Sequence, residues 1–262
     1  MNLTIRRINV FLHYKDLLKQ LVLKDLKLKY RRSFLGYVWS VLNPLLVMCV
    51  MAVVFSSMFK RNIENFPVYL FCGQILFNYM NQSTHQAINS INGNASLLKK
   101  TYVPKYIFTF SKITSGLIDL FFSMGALIIV MIATGTRFSW HFLLFPLVLI
   151  QLYIFCLGLG MFLAQTNVFF RDIQYIYNAF TTAWMYLTPI FYPMDLLPPG
   201  VLWLVKHCNP MYFYISQFRD LIYSNRIPET GIIIAGCITA VMMLLLGTWS
   251  FLKNQDHFIL YI

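Results

Sequence analysis

Charged positions are few along this chain and lie far apart. No Asp, Glu, Lys or Arg occurs in 33–59, 65–98, 138–170, 173–194 or 230–252, and across 113–136 the only charge is Asp119. A helix climbs about 1.5 Å per residue and the hydrocarbon layer is about 30 Å thick, so about 20 residues cross it. Each stretch suffices for one crossing and none comfortably for two. Six spans are predicted, at about 34–59, 66–86, 106–134, 142–167, 173–193 and 231–252. The apolar runs are continuous, as in 127–133 and 242–246, whereas a membrane barrel alternates apolar and polar positions. A helix also satisfies its own backbone in lipid. The predicted fold class is an all-α integral membrane protein, a single transmembrane domain over 1–262.

Three stretches carry a different pattern. Over 8–30, Tyr14, Leu18, Leu21, Val22 and Leu26 form an apolar stripe at helical spacing, with lysines and aspartates between them. This predicts an amphipathic helix lying in the membrane interface, either a simple anchor or a docking platform for a cytoplasmic partner. Asp25 and Lys29 are spaced for an ion pair one turn apart. The second apolar stretch turns polar after Tyr79, where Asn81, Gln82, His85, Gln86, Asn89 and Asn92 crowd into little more than three turns. Residues 85–99 are therefore predicted to leave the membrane as a cytoplasmic helix, capped near Gly93 and closed by Lys99, Lys100 and Pro104. Over 196–230, apolar bursts at 201–205 and 211–215 flank Asn209 and Pro210. They are too short to cross and too apolar for a solvated loop, which predicts two short re-entrant helices in the outer leaflet. Pro44 should kink the first span.

Composition agrees with the pattern. Apolar residues make up 58% of the chain and charged residues only 11%, against about 25% charged in soluble domains. So little charge cannot coat a water-facing surface, which excludes a cytosolic enzyme and a disordered chain. With the amino terminus placed in the cytoplasm, fourteen Lys and Arg fall inside and six outside, Lys112 being left uncounted at the edge of the third span. That asymmetry predicts both termini in the cytoplasm. Nine of these cations lie in the first 32 residues, beside the first span, where anionic lipid attracts them. The net charge of +12 is thus read as membrane contact and not as a nucleic-acid footprint. The first 30 residues lack the compact apolar core of a cleavable signal peptide.

Catalytic chemistry is not visible. The sequence has no G-x-x-x-x-G-K-[ST] phosphate loop, no H-E-x-x-H and no C-x-x-C. The five cysteines show no metal or redox spacing, and most are expected to be buried small hydrophobes. Asp119 is costly inside the membrane and is expected to face the bundle. Lys112, two turns away, is its nearest partner in sequence, and both a structural and a transport role stand. Aromatic residues make up 17% of the chain. Tyr and Trp inside the spans, and not only at their ends, favour a pore, so Phe77, Tyr79, Tyr177, Trp184, Tyr186, Phe191 and Tyr192 are the candidate channel lining, with ordinary packing as the alternative for each.

The stretch LVLKDLKLKYRRSFLGYVWSVLNP (21–44) resembles the start of the permease subunit of exporters for cell-envelope polysaccharides, the ABC transporters of O-antigen, teichoic acid and capsule. Asp25, Lys27, Tyr30, Ser33, Leu35, Gly36, Trp39, Leu42 and Pro44 carry the likeness. LLKKTYVP (97–104), NVFFRDI (167–173) and TPIFYP (188–193) look like later landmarks of that family, in the same order. The resemblance implies a non-catalytic half-transporter in the bacterial inner membrane. Two copies would form the pore, and two cytoplasmic ATPase subunits would bind ATP and Mg, leaving no cofactor in this chain. It implies ATPase coupling through Lys24, Asp25, Lys27, Asn89, Asn92 and Lys99. It also implies entry of an undecaprenyl-linked diphosphate head near Arg31, Arg32, Ser33, Leu35 and Gly36. Guanidinium forks suit phosphate oxygens, though topology alone would also account for the two arginines. A drug or lipid exporter of the same architecture is the nearest alternative, and an intramembrane enzyme acting on polyprenyl-linked sugars a more distant one.

Overall fold

A computed structural model describes residues 14–30, 35–59 and 63–261. Among these residues the chain is helical and contains no strand. Helix α1 (Lys15–Tyr30) leads to a one-turn 3-10 segment (Gly36–Val38) and α2 (Trp39–Phe59). After α3 (Phe66–Ile88) come a 3-10 turn at Asn92–Asn94 and the short α4 (Ala95–Lys100). Helices α5 (Tyr106–Ala133), α6 (Phe145–Phe169) and α7 (Ile173–Leu187) come next. Two short helices, α8 (Pro199–Cys208) and α9 (Pro210–Ile222), precede the long α10 (Thr230–Asn254) and the terminal α11 (Phe258–Tyr261).

Local chemistry sets the boundaries. Helices α3, α6, α8 and α9 all begin with proline in the first turn, where the missing N–H costs nothing and φ is preset. The side chain of Asn209 caps α9 by accepting the Met211 N–H at 3.1 Å. Gly36 has φ +50°, a left-handed turn that favours glycine. Asn89, Asn92, Gly93 and Asn94 are poor helix formers. They break the helix predicted over 85–99, so that α3 stops at Ile88 and only Ala95–Lys100 re-forms.

Among the described residues four segments are long and apolar enough to cross a membrane, namely Gly36–Phe55, Tyr106–Ala133, Trp140–Phe169 and Thr230–Tyr261. They match the first, third, fourth and sixth predicted spans. The other two differ for physical reasons. Helix α3 has the length, at 23 residues, but its second half is polar. Helix α7 has only 15 residues, about 22 Å of rise, because Pro189 and Pro193 lie just beyond it and the chain turns.

Helix α3 lies at the centre. Phe71, Phe77, Leu70, Leu76 and Met80 are fully buried, and the helix is surrounded by α2, α5, α6 and α9. Lipid is as apolar as a leucine side chain, so close packing holds such helices together more than escape from water does. Packing is closest between α6 and α10. A Cβ placed on Gly158 would strike the backbone at Met243 and Leu244, and one on Gly247 would strike the Gly158 carbonyl. Backbone meets backbone there. Cys72 and Cys156 are buried as expected, whereas Cys49 on α2 and Cys237 on α10 are exposed.

Candidate functional site

Two ion pairs tie helix α1 to α5, and a hydrogen bond just before each helix adds a third tie. The Tyr14 hydroxyl donates to the Tyr102 carbonyl at 3.1 Å, Lys112 Nζ meets Asp25 Oδ1 at 2.7 Å, and Lys29 Nζ meets Asp119 Oδ2 at 2.8 Å. Both predicted ion pairs are exchanged. Asp25 takes Lys112 in place of Lys29, and Asp119 takes Lys29 in place of Lys112. The cross-helix arrangement neutralises Asp119, whose side chain is 16% exposed, in an otherwise uncharged stretch. Ser115 Oγ is a further neighbour of Asp25, at 3.5 Å. Lys24 and Lys27 face outward on α1, leaving them accessible, whereas Asp25 is engaged within the chain. Leu35 is exposed beside Gly36 at the turn into α2. Arg31, Arg32 and Ser33 lie outside the described residues.

The α3–α4 bend and the α6–α7 joint meet in a knot of amides. Asn167 Nδ2 donates to the Ile88 carbonyl at 3.0 Å and to Asn89 Oδ1 at 3.2 Å, and Asn92 Nδ2 donates to the Asn167 carbonyl at 3.3 Å. Beside them is a cavity of about 350 Å³ lined by Asn89, Asn92, Ala95, Asn167, Arg171 and Gln174. Lys99 is exposed on α4 nearby in sequence. Lys105 donates to the Gln255 carbonyl and lies 5.5 Å from the centre of the Phe258 ring, tying the start of α5 to the end of the chain. Burial there lowers its pKa below the ordinary lysine value.

Helix α7 has two unlike faces. Its inner face is closed by specific bonds: Tyr177 Oη and Thr84 Oγ1 share a hydrogen bond at 2.8 Å, and Trp184 Nε1 donates to Asn209 Oδ1 at 2.8 Å. Phe77, Tyr79, Tyr177, Trp184 and Phe191 are all buried in the chain's own interior, with the Tyr79 hydroxyl donating to the Ile113 carbonyl. Tyr192 is half-buried and donates to the Tyr186 carbonyl at 2.7 Å. Of the seven rings named from the sequence, Tyr186 is the one that stands well out, at 63% exposure. The outward face carries Asn178, Thr182 and Tyr186 at intervals of four, continuing a line from Gln174. Polar groups four apart share one side of a helix.

Sequence reasoning missed Arg219, which it counted only as an outside charge. The residue is 8% exposed. Its Nε donates to the Tyr69 carbonyl at 3.2 Å, Nη1 to that of Pro189 at 2.7 Å and Nη2 to that of Ile190 at 2.9 Å. The guanidinium also sits 3.5 Å from the centre of the Tyr69 ring. It thus holds the turn that ends α7 against the start of α3. A Cβ on Gly73 would come within 2.9 Å of Nη2, so that glycine keeps the seat open. The signal was present in 188–193, where prolines leave carbonyls without helical partners that a buried donor must then supply.

The sequence pattern of the ABC-2 type transporters matches residues 16–223. The chain belongs to that family. Among curated ABC-2 relatives and similar exporters, it is 30% identical to an O-antigen export system permease protein, RfbA, of Myxococcus xanthus, over 97% of this chain and 98% of the relative. An RfbA of Klebsiella pneumoniae is 28% identical over 93% of each chain. The polysialic acid transport protein KpsM of Escherichia coli is 22% identical, over 82% of this chain and 84% of the relative. The family accounts for the four apolar helices and for a chain without a phosphate loop.

Proposed function

We propose that this chain is the channel-forming permease subunit of a bacterial ABC exporter, carrying an undecaprenyl-linked polysaccharide across the inner membrane. A separate ATPase subunit supplies the energy, two copies of the chain enclose the pathway, and both termini are cytoplasmic. In this reading α3 and α7 complete six crossings despite their polarity and shortness, and α8 and α9 are re-entrant. The names of the relatives support the cargo class. The observation that carries the reading is the outward line Gln174, Asn178, Thr182 and Tyr186 on α7. The Thr182 hydroxyl donates to the Asn178 carbonyl at 2.9 Å, but amide side chains facing lipid would go unsatisfied, so a face with Gln174 and Asn178 belongs against water or a hydroxylated polymer. Facing its equivalent across a pair of chains, it gives a wall that wets sugar hydroxyls without charges to trap them. Lys24, Lys27, Asn89, Asn92 and Lys99 are assigned to the ATPase contact, and Asp25 acts there by fixing α1 to α5.

The test is ATP-dependent export of the lipid-linked glycan by the chain and its ATPase subunit in vesicles. Asn178→Trp should abolish export while both subunits still copurify. Export at the unmodified rate from that variant would overturn the α7 pathway, and export without any ATPase subunit would overturn the half-transporter.

A further inference from the structure

A second cavity, of about 330 Å³, opens between α9 and the start of α10. Its volume falls within the roughly 300–1,000 Å³ of small-ligand sites. Tyr212, Ser216 and Asp220 line it from α9 at intervals of four, which puts them on one side of that helix. Arg226 and Glu229, both exposed, stand on the connecting segment, and Ile227 and Ile232 add apolar wall. Asp220 is only 5% exposed, and Arg226 meets it on one side. Nε and Nη2 both approach Oδ1, each at 2.7 Å. The other oxygen, Oδ2, accepts no hydrogen bond from the described residues and keeps a face on the cavity. Arg226 Nη1, on a side chain 70% exposed, likewise has no acceptor among the described residues. The ion pair is thus half spent. A largely buried carboxylate oxygen calls for a donor, and a guanidinium nitrogen beside it calls for an acceptor.

Glu229 tips the balance, since two carboxylates against one guanidinium leave the cavity negative. An anion alone would answer Arg226 but meet both carboxylates, and a cation alone would leave Arg226 unserved. A zwitterion with an ammonium close to a phosphate answers all three. Where α10 begins fixes the source. Thr230 starts a segment long and apolar enough to cross a membrane, so the cavity lies at a membrane surface whichever way the chain is oriented. Beyond it Ile234, Ile238, Val241 and Leu245, at intervals of four, three and four, form an exposed apolar strip along α10. A headgroup seated in the cavity would lay its acyl chains on that strip. We propose that the cavity is a phosphatidylethanolamine site, in which the ammonium donates to Asp220 Oδ2 and to Glu229 while Arg226 Nη1 holds the phosphate. The methylated nitrogen of phosphatidylcholine has no N–H to donate, and phosphatidylglycerol brings the anion without the cation.

The experiment is a lipid competition on the full chain in detergent, read by native mass spectrometry. The chain is offered equimolar phosphatidylethanolamine and phosphatidylcholine with identical acyl chains. Both are zwitterions, so the lysines of α1 attract them alike. Phosphatidylethanolamine should be retained about tenfold or more over phosphatidylcholine, the gain expected from a charge-assisted hydrogen bond. Asp220→Asn combined with Glu229→Gln should bring that ratio to about one. Glu229→Gln alone changes only an exposed side chain and should still lower the ratio, which keeps the test open if the double variant fails to fold. Arg226→Gln should weaken retention of both lipids severalfold, and Arg137→Gln, in the turn between α5 and α6, should change neither. Equal retention of the two lipids by the unmodified chain overturns the site, as does a ratio untouched by Glu229→Gln or retention untouched by Arg226→Gln. Displacement of the lipid by an equal concentration of soluble phosphoethanolamine would make the cavity a site for a water-soluble zwitterion and overturn the lipid assignment. Retention is read without ATP, ATPase subunit or glycan, so its failure leaves the exporter reading standing.

Discussion

Two regions of this molecule hold a cation in low-dielectric surroundings, and they do it in opposite ways. Along the α1–α5 seam, Lys29 and Lys112 each meet a carboxylate, and the side chains involved keep between 16% and 36% of their exposure. At the end of α7, Arg219 meets no carboxylate among the described residues and is held by three backbone carbonyls and a ring. Part-exposed ion pairs gain little because water and salt compete for both partners. The guanidinium and its carbonyls have no such alternative, and each carbonyl left alone would be a buried unsatisfied group. The first region is a fastening that can open at modest cost; the second is part of the frame.

This contrast sets an order of expected effects. Arg219→Ala should cost the most, because three backbone carbonyls lose their donor at about 1–3 kcal/mol for each that stays buried and unsatisfied. Thermal unfolding of the detergent-solubilised chain would show it, and Arg219→Lys should recover only part, since one ammonium cannot spread over three carbonyls in the plane of a fork. Gly73→Ala should cost about 1–3 kcal/mol by crowding Nη2. In an Arg219→Ala background most of that penalty should disappear, leaving the milder contact with Ile190 Cγ2 at 3.3 Å, and an undiminished penalty there would place the clash elsewhere.

Asp119→Ala comes next, at about 1–2 kcal/mol, discounted because Lys29 can turn toward water. Exchanging the pair, with Lys29→Asp and Asp119→Lys together, should restore most of the loss. A double exchange no better than either single change would show that geometry and not charge holds α1. Asp25→Asn should have the smallest effect, below about 1 kcal/mol. Raising salt from 0.1 to 1 M shortens the screening length from about 10 to about 3 Å. It should shrink both α1 effects while leaving the Arg219 penalty in place.

Much of the architecture was legible from where charges are missing. The four apolar crossings, the two short helices α8 and α9, and the amphipathic α1 are all marked by runs of one kind of residue. Charge partners were not legible. Asp25 and Lys29 have an ideal one-turn spacing, yet each finds its partner on α5, because spacing reports only contacts within a helix. Which rings face inward was not legible for a similar reason. An aromatic in a membrane helix looks the same whether it faces inward, as Trp184 does, or outward, as Tyr186 does. Only the neighbours distinguish them, and α9, whose cap residue Asn209 accepts from Trp184, is more than twenty residues away in sequence.

The glycines at 158 and 247 set a limit on movement. With backbone against backbone, α6 and α10 cannot slide by a residue or roll about their axes without driving a side chain into the opposing chain. They travel as a single beam. Any opening that admits a polymer must then be taken up at seams where side chains, and not main chains, make the contact.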